Sequence, residues 1–245
     1  MSDTSPQIAD ALPQKPPLRS VLREARLAKD AAHFAHAWWR LPSRPKGNGR
    51  SVLLLPGFGT DGTSMGALSV YLRRLGFRPK GWRLGTNRGN VEELMPLVEA
   101  RVEEVASKAG GPIDLVGWSL GGFLARETAR DRPDLVRRIV TLASPVVGGP
   151  KYTVLNGHYE RRGADLNAIE AEIEERTRVP LITPVTALYT KSDGIVDWRA
   201  CIDRLSPNVE HIKVKASHLG IGINPVALKI VAETLARPIE TRQAA

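Results

Sequence analysis

Two rhythms alternate along the chain. From Leu18 to Arg40, apolar side chains recur at three- and four-residue steps: Leu18, Val21, Leu22, Ala25, Ala28, Ala32, Ala35 and Trp38. Arg19, Arg23, Arg26 and Lys29 largely occupy the other side, so the spacing predicts an amphipathic helix. Two uses of that helix stay open. Its apolar face packs on its own domain, or its Trp38–Trp39 end touches a membrane surface. Pro42, Pro45, Gly47 and Gly49 then break the chain. SVLLL (51–55) follows, a short apolar run bounded by turn signals, which reads as a fully buried strand. Further strands are predicted near 77–84 and over 112–118, 136–143, 184–190 and 209–214. Between them the period returns to that of a helix at 64–75, 91–108, 120–131 and 224–237. Pro96 either delays the start of the second of these or kinks it. Asn224 is a candidate cap and Pro225 suits a first turn.

Strand followed by helix, repeated, is the rhythm of a mostly parallel sheet covered on both faces. Ligands in such sheets sit beyond the carboxyl ends of the strands. Residues 145–180 interrupt the rhythm with glycine, proline, a tyrosine-bearing stretch and a helical segment at 165–178. They are expected to form a small helical cap. Residues 1–17, polar and holding four prolines, read as a loose tail, which leaves one domain over 18–245.

Composition narrows the function class. At 245 residues and 42% hydrophobic content, the chain suits one globular domain with a full core. No apolar stretch is long enough to span a bilayer, and the first residues lack a secretory pattern, so a soluble, cytoplasmic protein is expected. Cys201 is the only cysteine, which excludes an intrachain disulfide and a cysteine-rich zinc site. The formal charge of +9 invites an anionic partner. Its basic residues are scattered among acidic ones, however, and no aromatic-studded basic stripe argues for nucleic acid. Oligomeric state is not legible.

Two stretches fit the pattern Gly-x-Ser-x-Gly: GTSMG (62–66) and GWSLG (117–121). The second follows a strand directly and opens a helix. Such a reversal lifts the serine clear of the sheet, and Gly117, Gly121 and Gly122 supply room for it. The Leu120 amide, at a helix start, then faces developing negative charge. GTSMG is separated from its strand by PGFGTD, so Thr63 or Ser64 reads as a helix cap instead. Ser119 is therefore the candidate nucleophile. A serine hydroxyl needs an imidazole base, which in turn needs an acid. Of five histidines, His33 and His36 lie in the first helix, His158 in the cap and His211 inside a strand. His218 follows the last strand in SHLGIG and is the candidate base. TKSDGIVDW (190–198) follows the strand before, with Asp193 the candidate acid and Asp197 the reserve.

In this order, Ser119, Asp193, His218, the chain resembles the α/β-hydrolase superfamily, and small bacterial serine esterases and lipases in particular. The resemblance rests on GWSLGG, TKSDGIVDW, SHLGIG and PGFG after the first strand, and covers about residues 50–237. It implies that the Phe58 amide joins that of Leu120 in an oxyanion hole. Where many members carry His-Gly at the start of that loop, this chain has Pro56-Gly57. The first two strands of larger relatives are not visible before residue 50, which implies a compact sheet of about six strands. The expected activity is cleavage of carboxylic esters through an acyl-enzyme, with no metal or organic cofactor. Trp118, Val146, Val147, Tyr152 and Leu155 are candidate substrate contacts; the last four, with Val154 and Tyr159, read either as acyl-pocket lining or as ordinary cap packing. An acyltransferase, a thioesterase or amidase, and a non-catalytic binding protein of the same fold remain as alternatives.

Overall fold

The computed structural model describes residues 12–238. The predicted tail therefore lies outside the described residues as far as residue 11, as do residues 239–245 at the other end. Among the described residues, six strands form one parallel sheet: β1 (Ser51–Leu55), β2 (Arg78–Gly81), β3 (Ile113–Trp118), β4 (Val136–Leu142), β5 (Val185–Tyr189) and β6 (Val209–Lys213). Their order across the sheet is β2-β1-β3-β4-β5-β6. The chain thus steps from β1 to one edge, then returns past β1 to build the rest. The switch falls between β1 and β3, which pair from Val52↔Asp114 to Leu55↔Gly117.

The unbroken apolar strands are explained by burial on both sides. Val52 and Leu54 point into one core, with Leu72 of α2 (Gly66–Arg74) and Val231 of α7 (Pro225–Ala236). Leu53 and Leu55 point into the other, with Val102 of α3 (Val91–Ala109) and Leu124 of α4 (Leu120–Asp131). Burying a side chain of this size contributes about 1.5–3 kcal/mol. Pro96 does not delay α3, which runs through it from Val91 to Ala109 and stops at Gly110, where φ turns to 75°. Asn224 caps α7, its side chain accepting from Val226 N and Ala227 N. Among the described residues, no helix is long and apolar enough to cross a membrane.

The first helix departs from expectation. Leu18–Arg26 is a 3₁₀ segment leading into α1 (Leu27–Ala37), and the predicted apolar stripe, Trp38 excepted, lies outward. Leu18 is 77% and Leu22 78% exposed, and Ala25, Ala28, Ala32 and Ala35 are exposed as well, while Ser20, Glu24 and Asp30 are buried. A second set of three- and four-residue steps faces inward. Its first half is polar and meets main-chain groups, Ser20 donating to a carbonyl while Glu24 and Asp30 accept from N–H groups; its second half, Phe34 and Trp38, packs on the core. Trp39 is 81% exposed.

The cap segment holds α5 (Asn156–Arg161) and α6 (Leu166–Thr177). Arg176 ties α6 to α4, reaching Glu127 at 2.5 Å and Asp131 at 2.8 Å. The cap also joins the loop after β5, with Val154 N donating to Ile195 O and Asp197 N to Tyr152 O.

Candidate active site

The sheet switch places the loop after β1 beside the end of β3, and the site is built there. Ser119 carries the last ladder bond of its strand, its N–H donating to Leu142 O at 2.8 Å, and is already the residue before α4. No intervening loop absorbs the reversal, so the backbone takes φ 53° and ψ −122° at a non-glycine residue. Such a conformation costs on the order of 1–3 kcal/mol and persists only where the surroundings enforce it. They do so by close approach. A Cβ on Gly117 would fall 2.3 Å from Gly121 O, and one on Gly121 would fall 2.3 Å from Leu55 O. Ser119 itself is half-exposed.

The two residues predicted as its partners come from the same end of the sheet. Asp193 follows β5 and His218 follows β6. Asp193 Oδ2 lies 2.8 Å from His218 Nδ1. The other oxygen of Asp193 accepts from Ile195 N at 2.8 Å and Val196 N at 2.7 Å, so the carboxylate is fixed in direction. Asp197 is used otherwise. It caps the 3₁₀ turn Trp198–Cys201, pairs with Arg199, and accepts from Gln14 N at 2.6 Å. His218 is 3% exposed, with its ring 5.9 Å from that of Trp118. Burial drags its pKa down, but the charge and hydrogen bond of Asp193 and the charge of Glu24 outweigh burial and leave it raised. Among the described residues, no hydrogen bond joins Ser119 to His218.

The Phe58 loop is pressed against the elbow, for a Cβ on Gly57 would lie 3.3 Å from that of Ser119. A residue that sequence reasoning missed holds it there. Asn87 is fully buried; its Nδ2 donates to Pro56 O at 3.0 Å, its carbonyl accepts from Gly59 N, and its N–H donates to Thr60 O. Its signal in the sequence is the run of turn residues GTNRGN, a pattern that loops in general share. Among the described residues, neither the Phe58 nor the Leu120 amide has an acceptor in the protein.

Ser119 opens into a cavity of about 850 Å³ beneath the cap. Of the predicted contacts, Leu155 and Tyr159 reach its wall. Trp118, Val146, Val147, Tyr152 and Val154 do not. Trp118 is buried behind the elbow and donates through Nε1 to His218 O. Val146 N and Val147 N both donate to Ala200 O, which turns that segment away. Tyr152 is drawn aside by a 2.5 Å bond to Glu170. The apolar wall comes instead from Phe58, Phe123 and Ile173, together with Met95. The Phe58 ring packs against His158 and Tyr159, at 5.4 and 5.8 Å. Burial, opposed by Arg162, pushes the Tyr159 hydroxyl up to about 12, so it stays a donor. His211 is a structural histidine, accepting from Asp203 N. Among the described residues, no group of three His, Cys, Asp or Glu side chains is placed to hold a metal ion.

A family model described as "Alpha/beta hydrolase family" matches residues 32–227. The chain belongs to the alpha/beta hydrolase family. Solved structures agree on the fold. A monoacylglycerol lipase from Paleococcus ferrophilus superposes with a TM-score of 0.56 at 19% identity, covering 77% of this chain and 96% of its own. A lipase-esterase related protein from Clostridium acetobutylicum gives 0.57 at 16%, covering 78% and 96%. A thioesterase domain from the curacin biosynthetic pathway gives 0.54 at 14%, covering 78% and 92%. No curated protein matches the sequence. At these identities the solved structures share the fold with this chain.

Proposed function

We propose that this alpha/beta hydrolase cleaves carboxylic esters, with Ser119 as nucleophile, His218 as base and Asp193 as its orienting acid. One observation carries the reading: a serine held at φ 53° at the same sheet end as an Asp193–His218 pair 2.8 Å apart. With Nδ1 bonded to Asp193, the Nε2 of His218 takes the Ser119 proton as Oγ attacks the carbonyl. The carbonyl oxygen gains negative charge and meets the Phe58 and Leu120 amides, each such donor being worth about 3 kcal/mol of barrier. His218 returns the proton to the leaving alkoxide, and the acyl group stays on Ser119. Water, deprotonated by His218, then releases the acid. The apolar wall of Phe58, Phe123 and Ile173 suits an acyl chain of moderate length.

The acid limb of turnover follows from the base. Only the neutral ring accepts the proton, and the pKa of His218 is raised. Ester turnover is therefore half-lost at a pH above the ordinary histidine value of about 6.5. A profile of kcat/KM centred below that value would contradict the assignment.

A fluorophosphonate probe tests the whole reading: it labels the wild type and not Ser119→Ala. A wild-type protein that resists labelling points to the non-catalytic alternative. Matched ester, thioester and amide substrates then rank the cleaved bond. Added alcohol reports acyl transfer through its ester product.

A further inference from the structure

The N-terminal segment enters the site through its polar side. Glu24 is 7% exposed. Its Oε1 accepts from Gly194 N at 2.8 Å and from His218 N at 3.0 Å, and its Oε2 accepts from Leu219 N at 2.8 Å. Asp30, 3% exposed, accepts from Ser217 N and Ser217 Oγ, both at 2.9 Å. Ser20 Oγ donates to Gly194 O at 2.7 Å. The receiving loops are shaped for these contacts. A Cβ on Gly194 would lie 2.5 Å from Ser20 O and 2.9 Å from Glu24 Oε1, and one on Gly220 would lie 2.1 Å from Asp30 Oδ2.

The two carboxylates differ in what they join. Asp30 touches the His218 loop alone. Glu24 touches both loops: Gly194 is the residue after Asp193, and the His218 amide belongs to the base itself. One oxygen atom thus sets the spacing of the two backbones whose side chains meet at 2.8 Å. We infer that Glu24 is a positioning residue for the Asp193–His218 pair, binding the acid loop to the base loop from outside the strand-and-helix core. The inference rests on the proposed catalytic roles of those two residues. Bonds from N–H groups to a buried charge are among the stronger hydrogen bonds, and leaving such a partner unmet is costly. Glu24 also acts on the ring by its charge. The groups facing His218 are Asp193 and Glu24, with the Arg23 guanidinium 3.3 Å from Asp193 O.

Length and charge are separable in two variants. Glu24→Asp keeps the charge and shortens the reach, so kcat falls on the order of 10- to 100-fold with KM unchanged, and the acid limb stays in place. Glu24→Gln keeps the length, removes the charge and sets an NH₂ against Leu219 N–H. Its kcat falls and its acid limb moves to lower pH, because the ring loses an anion that favoured its protonated form. Leu22→Ser, on the outward face, leaves both unchanged. The downfield Nδ1 proton resonance of His218 reports the pair without turnover, and it broadens or shifts in both Glu24 variants. Should one variant not fold, the other still decides. Lower thermal stability alone, with kcat per folded site, acid limb and proton resonance all as in wild type, overturns the inference. A wild type that hydrolyses no ester sinks the proposed function instead, and the resonance still judges Glu24.

Discussion

GTSMG and GWSLG share one five-residue pattern and fold into unlike structures. In the first, Ser64 sits inside a 3₁₀ turn, Gly62–Met65, and its hydroxyl donates to Asp61 O at 2.8 Å. In the second, Ser119 stands at φ 53° with no such local acceptor. The glycines record the difference. A Cβ on Gly62 or Gly66 would meet nothing within 4 Å, whereas Gly117 and Gly121 have no room for one. What separates the two is the flanking chain. A strand that runs directly into a helix must reverse at one residue, while a strand followed by a long loop has no need to. The pattern alone does not specify an elbow; the missing loop does.

The contrast is sharpest at the serines. Ser119→Ala removes the proposed nucleophile, and ester turnover falls on the order of 10⁴- to 10⁶-fold while the fold persists. Ser64→Ala, which loses a local hydrogen bond in a turn, leaves kcat within about twofold of wild type. Steady-state kinetics on one chromogenic ester reads both. Equal losses in the two variants would place the chemistry elsewhere.

The glycines come next. Gly121→Ala drives a methyl group into Leu55 O and Pro56 O, which are backbone atoms that cannot swing aside. Overpacking of this kind costs about 1–3 kcal/mol or more. It also pushes on the loop that carries Phe58, so turnover falls along with stability. Denaturant melts and kinetics together test this. A variant with wild-type stability would mean that the strand and helix are not held together at this point.

How far the letters foretold this molecule depends on where each side chain finds its partner. Strands and helices were legible because both cores lie along the sheet, and the periods of β1 and α4 reflect that directly. The elbow was legible from Gly117, Gly121 and Gly122, since close approach between consecutive elements leaves a local trace. Asp193 and His218 sit at strand ends, where chain order alone places candidates. Which face of the N-terminal segment is buried was not legible because two stripes share it. Leu18, Val21, Leu22 and Ala25 are the more apolar, but Ser20 finds the carbonyl and Glu24 the N–H of Gly194, some 170 residues away. No local pattern encodes such a partner. The cavity wall failed similarly. Tyr152 follows Glu170 and Val146 follows Ala200, contacts fixed by how the cap folds back. The short helix α5, six residues with a glycine inside, is below what periodicity resolves.

Smaller effects belong to the first stretch. The cap of its turn is Asp61, and not Thr63 or Ser64 as the spacing suggested; Oδ1 of Asp61 accepts from Thr63 N at 2.9 Å and from Thr63 Oγ1 at 2.6 Å. Replacing a cap of this type by alanine costs about 1 kcal/mol. Asp61→Ala should therefore lower the melting temperature by roughly 2–4 °C in a chain of this size and leave kcat alone. An unchanged melting temperature would show that the turn stands without its cap.

The smallest effect has the opposite sign and separates the two patterns most cleanly. Gly66 occupies the place in GTSMG that Gly121 occupies in GWSLG. It has helical backbone angles, φ −59° and ψ −47°, and open space where a Cβ would go. Alanine adopts those angles without strain and restricts the unfolded chain, so Gly66→Ala should stabilise by about 0.4–1 kcal/mol. The same substitution at Gly121 destabilises, because the added methyl meets backbone. Thermal melts of the two variants side by side thus set one chemical change against two surroundings. If Gly66→Ala also destabilises, the glycines of the first stretch answer to a constraint other than its backbone, and the contrast with the elbow weakens accordingly.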